Sequence, residues 1–542
     1  MRGGAIACPE PLAAETGERI FAQGGTALEA AVAAAAVQGV TNPLGCGLGG
    51  MAHIMVVRRG WRAPRFLNAS VAVGSRAEPG IFEDAFMGRS ERAGRYLIDG
   101  DRNQLGYESI MTPGFVRGMD ALLGMGEGRL RWPVLLEPAA GAATDGFPVY
   151  PYLEAYYTFE GGDRPGYPDV FRKLTQDAAA RTRYLPGGRP MRTGEVMRQP
   201  EYGRTLERVA RGGPDEFYRG AVAGEMAADF AARRALVTSA DLETYQVQVA
   251  EPVQGSFRGL TVYSSPPPAH GAVLLTMLNL ADEMDLGRLA WNSPDYVEAV
   301  AWATRTAFAD CMPYLSDPAF VTVPVEWLTS KERVRGAVRE FALETGHGGG
   351  IPADGHTTHV SALDTDGDVV SITHSIGSIA GAGVMTPGLG FLHNNFMGHF
   401  NPLRGYHNSI AAGKRMGGGC PTIVYRDGAP WIAIGSSGGS RLISAVFQTL
   451  LNVVLFQMPL AAALAAPRIH SESGRRIYVE PGLAATVAAP LRRRGYEIEA
   501  TIYMGCNQAV EFTPAGPAAA SDPRGGAGIG LWPRERGRQG KA

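Results

Sequence analysis

A chain of 542 residues with 45% hydrophobic content is long enough to bury a large core, and its length suggests more than one domain. Its formal net charge of −2 gives no basis for a nucleic-acid partner. The longest apolar runs, near 29–37 and 443–456, fall short of the roughly 18 residues of a membrane-spanning helix. No apolar segment of the signal-peptide kind precedes the first helix, so no membrane partner is expected and the expected compartment is the cytoplasm. The five cysteines (Cys8, Cys46, Cys311, Cys420 and Cys506) are scattered and form no CxxC pair, which argues against a disulfide framework and against structural zinc. Glycine, at 72 residues, is nearly twice its usual share of about 7%, which fits tight turns and close backbone approaches.

In chain order, residues 11–23 read as an amphipathic helix closed by Gly24 and Gly25. Thr26 caps the next helix, with Glu29 completing a capping box. Residues 28–38 are alanine-rich, small enough for a helix packed tightly on its neighbours, and Thr41-Asn42-Pro43 ends it. A glycine loop at 45–50 leads into a strand at 52–58. Residues 60–110 carry no regular pattern. Helices are expected near 114–123, 132–146, 206–211 and 220–233, with Thr238 capping a further short one. Residues 160–200, rich in Gly, Pro and Arg, read as loop. A strand at 259–264 precedes Pro266-Pro267-Pro268, and apolar helices follow at 270–280 and 294–313. Residues 346–355 form a Gly/His/Asp loop of the kind in which a chain cut is tolerated. Near the end, a strand at 431–434, the loop Gly435-Ser436-Ser437-Gly438-Gly439 and a helix at 442–456 follow one another.

The organising stretch lies at 357–375. Residues 358–363 alternate polar and apolar, Asp364 to Asp368 is turn chemistry around Gly367, and residues 369–375 are β-branched and alternating, so the stretch predicts a hairpin. A cut before Thr357 would give that residue a free α-amine beside its hydroxyl. Such a threonine is a nucleophile with its own general base, since an α-amine titrates at about 7.7–8.0.

The run Thr357-Thr358-His359-x-Ser361, then Asp364-x-Asp366-Gly367 and a second strand, resembles the γ-glutamyltranspeptidase family of N-terminal-nucleophile hydrolases. The likeness extends over about residues 5–525, and is weakest at 60–105 and 150–195. It implies an α+β fold, a four-layer αββα sandwich formed by two subunits from one precursor. The self-cleavage site would be His356-Thr357, giving a large subunit of 1–356 and a small one of 357–542 that together form one globular unit. It further implies Thr357 as nucleophile and α-amine base, Ser375 as the hydroxyl partner of the nucleophile, and the backbone of Gly438 and Gly439 as the oxyanion hole. A glycine pair at a helix N-terminus suits a developing oxyanion, although an ordinary tight turn is the plainer alternative. Many relatives are exported, so a cytoplasmic location would be a departure.

Three other chemistries find less support. The loop Gly435-Ser436-Ser437-Gly438-Gly439 matches G-x-S-x-G, but no Asp or Glu lies between it and His470, the only downstream histidine, so the serine-hydrolase order fails. His356 and His359 are three apart, on opposite faces of a strand, and no acidic ligand stands at a recognised spacing, so no metal is expected. No phosphate-binding GxxxxGK[ST] or strand-led GxGxxG is present, and no cofactor is expected.

Departures from the resemblance concern the substrate. Where the family holds the glutamyl α-carboxylate with an arginine, this chain has Ala69, with Arg65 close by. The paired asparagines correspond to Asn394 and Asn395. The aspartate that grips the α-amino group is replaced by His399, after Phe396. The family's Ser-Ser pair falls at Gly418 and Gly419 with one residue deleted, and the asparagine after its second threonine is Gly377. The attack machinery is kept and the amino-acid clamp is dismantled, which changes substrate choice more than reaction type. The expected function is therefore a self-processing threonine hydrolase acting on a small-molecule carbonyl other than glutathione, an amide or a C–C bond beside a carbonyl, with secondary metabolism as one setting. A genuine γ-glutamyltransferase and a non-catalytic binding protein are the alternatives.

Overall fold

The turn at 364–368 forms as its residues dictate. Asp364 Oδ1 accepts the N–H groups of Asp366 (3.0 Å) and Asp368 (3.1 Å), and Gly367 takes the left-handed conformation, φ +98°. The computed structural model describes residues 3–90, 95–158, 166–341 and 356–533. Its main strands are β1 (Gly4–Cys8), β2 (Met51–Val57), β3 (Arg65–Ala69), β4 (Gln248–Ala250), β5 (Val253–Phe257), β6 (Leu260–Ser264), β7 (His356–Asp364), β8 (Val369–Gly377), β9 (Thr422–Arg426), β10 (Ala429–Ser437), β11 (Cys506–Thr513), β12 (Gly516–Ser521) and β13 (Gly528–Trp532). They build a seven-stranded sheet in the order β13-β1-β7-β8-β2-β3-β4 and a six-stranded sheet in the order β5-β6-β9-β10-β11-β12. Every pairing within these two sheets is antiparallel. The predicted hairpin is β7–β8, at the centre of the larger sheet.

Helices α1 (Pro11–Ala22), α2 (Ala27–Thr41), α3 (Phe115–Gly124) and α4 (Trp132–Asp145) cover the outer face of the seven-stranded sheet. Helix α2 is buried along its whole length, which its run of alanines permits. Its predicted capping box is present: the Thr26 side chain accepts the Glu29 N–H at 3.2 Å, and Glu29 accepts the Thr26 N–H at 2.7 Å. The hairpin turn also reaches this helix end, because Asp364 Oδ2 accepts the Ala27 N–H at 2.8 Å. On the other side, α5 (Gly271–Glu283) and α7 (Arg441–Val454) pack on the six-stranded sheet, and α6 (Pro294–Cys311) packs on α5.

The two sheets meet face to face through small and aliphatic side chains, among them Ala5, Ala7, Met55, Leu363, Val369, Ile423, Ala433 and Val510. At Gly435 the approach is closest, and a Cβ there would lie 2.1 Å from the His359 ring. Each helix-covered core is composite. The one under the larger sheet joins residues from 6–245 to residues from 360–392, and the other joins 253–334 to 420–520.

Several elements differ from the sequence reading. The unpatterned region 60–110 contains β3 and an antiparallel hairpin, Phe86–Arg89 with Tyr96–Ile98. Within the expected loop at 160–200 lie two short helices, Val170–Thr175 and Ala178–Tyr184, capped by Asp169 and Asp177. The helix expected at 206–211 is the second half of Pro200–Gly212. The loop at 346–355 lies outside the described residues. No helix among the described residues is long and apolar enough to cross a membrane.

The contact at Gly435 gives a stability test. Gly435→Ala forces a methyl into the His359 ring, and overpacking of this kind costs about 1–3 kcal/mol. The midpoint of urea unfolding should fall accordingly, with the slope unchanged.

Candidate active site

Strand β7 pairs with β8 in register from Leu363 back to Thr358, and then the register slips: His356 faces Gly377 while Thr358 faces His374. Thr357 is the residue at the slip. The extra residue is on β8, where Ser375 and Ile376 together lie opposite Thr357; a bulge bends its strand and re-aims a side chain, and bulges gather at active sites. Thr357 is 7% exposed and opens into a cavity of about 460 Å³.

Ser375 lines the same cavity and accepts the Gly377 N–H at 2.9 Å. Gly377 must lack a side chain: its φ is +103°, and a Cβ would lie 2.2 Å from Asn395 Oδ1. Gly439 and Ser440, leading into α7, form another part of the wall, with Gly438 one residue behind. Gly438 (φ +123°) and Gly439 (φ +60°) are both left-handed, and Gly438 is pressed against Gly505 Cα. Among the described residues neither gives its N–H to a backbone carbonyl, so both amides remain as donors at a helix start.

The expected substrate-binding residues divide. Phe396, His399, Gly418 and Gly419 line the cavity. Ala69 and Asn395 do not. Ala69 is wholly buried, its methyl facing Gly118 of α3. Asn395 is a brace: its Nδ2 donates to Gln104 O (3.1 Å) and Ser378 Oγ (2.6 Å), and its Oδ1 accepts the Ser378 N–H (3.0 Å). Asn394 ties Gly49 and Met111 in the same manner. Arg65 forms a surface pair with Glu251 at 3.1 Å. The side chain of His356 lies outside the described residues. His359 spends both ring nitrogens on hydroxyls, Thr373 at 2.9 Å and Ser361 at 3.0 Å. His470 bonds Ser444 (2.8 Å) and Glu472 (2.5 Å), not the serine of the G-x-S-x-G match.

The cavity also holds residues that sequence reasoning missed. The hairpin Phe86–Arg89/Tyr96–Ile98 brings Arg89, Arg95 and Tyr96 to its wall. Arg95 is buried, donates to Gln104 Oε1 at 2.6 Å and lies 4.6 Å from the Tyr167 ring centroid. Phe308, Met312 and Leu315, at and beyond the end of α6, give another stretch of wall an apolar surface. No spacing rule announces an arginine at the end of a four-residue strand or just before a three-residue one. Among the described residues the lining contains two arginines and three histidines (His270, His399 and His407) and no carboxylate. His270 and Gly419 exchange hydrogen bonds, backbone to backbone at 3.0 Å and Gly419 N–H to Nδ1 at 3.4 Å.

Two stacked antiparallel sheets, with a threonine at a strand start opposite a register slip and glycine amides at a helix start, are the arrangement expected of an N-terminal-nucleophile hydrolase. A profile of the gamma-glutamyltranspeptidase family matches residues 13–532, and the chain belongs to that family. It is 34% identical over 525 residues to the Acylase ACY 1 proenzyme of Pseudomonas sp. (strain SE83), covering 95% of this chain and 90% of the relative. It is 28% identical over 543 residues to the Glutathione hydrolase proenzyme of Escherichia coli (strain K12), covering 96% and 90%. The structure of cephalosporin acylase from Bacillus halodurans superposes with a TM-score of 0.82 at 27% identity, covering 97% of this chain and 95% of that one. The protein is thus a γ-glutamyltranspeptidase-like hydrolase of amides.

Burial pulls His53, His359, His374, His393 and His399 down to about 3 and His270 to about 4, with the Arg95 charge adding to the effect at His399. An unfolded imidazole titrates near 6.5. Below that pH the unfolded chain therefore binds protons that the folded chain refuses, and stability falls as pH drops from about 6.5 towards 4, by up to roughly 1.4 kcal/mol per pH unit for each ring. Urea unfolding of a Thr357→Ala chain should show a loss of several-fold that single-ring slope between pH 6.5 and 4.5. A flat profile across that window would contradict neutral buried rings.

Proposed function

We propose that this protein is a self-processing N-terminal-threonine hydrolase whose substrate is an amide with a neutral or anionic acyl group that bears no α-ammonium. In this reading Thr357 Oγ first attacks the carbonyl carbon of His356. An N-to-O acyl shift gives an ester, water hydrolyses it, and the α-amine of Thr357 is freed. The fragments 1–356 and 357–542 stay together as one four-layer αββα unit.

In turnover the Thr357 hydroxyl attacks the substrate carbonyl while the α-amine takes its proton. The amides of Gly438 and Gly439 hold the oxyanion, and Ser375 orients the nucleophile. The amine passes the proton to the leaving nitrogen, and water then attacks the acyl-enzyme to release the acid. His356-Thr357 is the cut bond. His399, Phe396, Gly418 and Gly419 are the substrate-facing remnants of the clamp.

One observation supports the substrate assignment: among the described residues the cavity wall has two arginines and no carboxylate. A γ-glutamyl group would bring its ammonium to a wall whose described residues offer no carboxylate to pair it, which is unfavourable. The relatives named acylase fit such a site, whereas relatives named glutathione hydrolase act on a substrate that carries the ammonium.

Two measurements test this. Intact mass of the wild-type chain should show the two fragments, and Thr357→Ala should show one uncut chain of 57.5 kDa. Glutaryl p-nitroanilide and γ-glutamyl p-nitroanilide differ only in the ammonium, and kcat/KM should favour the glutaryl compound by roughly tenfold or more. Preference for the γ-glutamyl compound would overturn the assignment.

A further inference from the structure

Behind the strand that carries Thr357 lies a carboxyl group that no step above uses. Glu10, the residue before α1, is wholly buried, and no cation accompanies it among the described residues. Donors converge on it instead: Gln38 Nε2 at 2.6 Å, Asn42 Nδ2 at 3.0 Å and the Thr358 hydroxyl at 3.1 Å. Gln38 Nε2 also reaches Thr358 Oγ (2.9 Å) and the His359 carbonyl (3.2 Å), while its Oε1 accepts from His374 Nε2 at 2.9 Å. With Gln38 Nε2 donating to Thr358 Oγ, the Thr358 hydroxyl proton is left for Glu10, so the bonds from Gln38, Asn42 and Thr358 to the carboxyl are all donated to it. An acceptor-only group, the ionised carboxylate, satisfies this arrangement.

Burial holds the Glu10 carboxyl above its ordinary range, against the pull of its donors. The other titratable groups near it are the thiols of Cys8, Cys46 and Cys506, the phenols of Tyr150, Tyr152 and Tyr156, and the His374 ring. Burial raises the thiols and phenols and lowers the imidazole, so all are neutral at pH 7. Glu10 is the one group of this set whose charge can act on the strand.

We infer that Glu10 is a positioning residue for Thr357: through Thr358 it pins the start of β7, opposite the β8 bulge, before and after the His356–Thr357 bond is cut. The inference rests on Thr357 being the nucleophile. The geometry supplies the reason. Thr357 is at the register slip, so the first residue in regular pairing with β8 is Thr358. A cut at 356–357 leaves that residue next to a new chain end, and chain ends fray unless tied down. The Thr358–Glu10 bond ties it to the start of α1, and Gln38 ties it to α2. A carboxylate one residue from the new α-ammonium also favours the ammonium, and so raises the pH at which the amine becomes a base.

The test compares wild type, Glu10→Gln and Thr358→Val, following conversion to fragments by intact mass and the pH dependence of kcat/KM on an anilide substrate. Gln presents an amide N–H₂ to a ring of donors. Conversion should slow by roughly tenfold or more, and the acid limb of the processed variant should move to lower pH by about 0.5 unit or more. Thr358→Val keeps the carboxylate and should slow conversion with the acid limb in place. Conversion within twofold of wild type in both variants overturns the inference, and so does slow conversion of Glu10→Gln with an unmoved limb, which reduces Glu10 to packing. If Glu10→Gln shows no cooperative melt, the conversion rate of Thr358→Val decides alone. Failure of the wild type to convert at all strikes the nucleophile assignment instead, so the two readings fail separately.

Discussion

Strand β7 is squeezed between a helix made largely of alanine and a second sheet, and that squeeze decides what the chain can place around Thr357. On one side α2 lies against the strand with no residue exposed. On the other, Gly435 leaves room for the His359 ring and for nothing more. Polar side chains trapped in this space have to satisfy one another. The hydroxyls of Ser361, Ser371 and Thr373 do so around His359, as Gln38, Asn42 and Thr358 do around Glu10. Glycines recur where the wall of the cavity folds back on other backbone or side chains, at Gly377, Gly419 and Gly438. Part of the high glycine content thus lies in and beside the walls of the cavity that Thr357 opens into.

The electrostatics of the cleft follow from what is absent as much as from what is present. The buried imidazoles of His270 and His399 stay neutral, and among the described residues the lining carries Arg89 and Arg95 and no carboxylate. Arg95 is held by Gln104 and by the face of Tyr167, both outside the family motif. A cationic wall with an apolar stretch from Phe308 to Leu315 has a different selectivity from a site that grips both charges of an amino acid. Thr357, Ser375 and the Gly438–Gly439 pair come from a different part of the chain than Arg89 and Arg95, so one set can be retained while the other changes.

Much of this was legible in the residues, and the parts that were not share a physical reason. The capping box at Thr26 and Glu29, the alanine helix and the hairpin around Gly367 are local patterns, each determined by neighbours within four residues or by strict alternation. The hairpin Phe86–Arg89/Tyr96–Ile98 is three to four residues per strand and half exposed, so it carries no periodicity, and its place on the cavity wall is a tertiary fact. The helices capped by Asp169 and Asp177 had local signals, but glycine and proline around them outweighed those signals. Position 69 illustrates the remaining gap. The motif alignment marks where an arginine is missing, while the structure turns that position into core and brings cations from 20 and 26 residues further on.

The composite cores give a chain cut at Thr357 an unusual meaning. Residues 360–392 complete one core and residues 420–520 complete the other, each against partners from the first 334 residues. Both cores are shared between the two pieces, so parting them exposes apolar surface of each core to water. Dilution should therefore not dissociate the pair. The broken backbone would behave in solution as a single cooperative body whose covalent connectivity has become irrelevant to its integrity, and refolding from separated pieces would be a bimolecular search that the uncut chain never had to make.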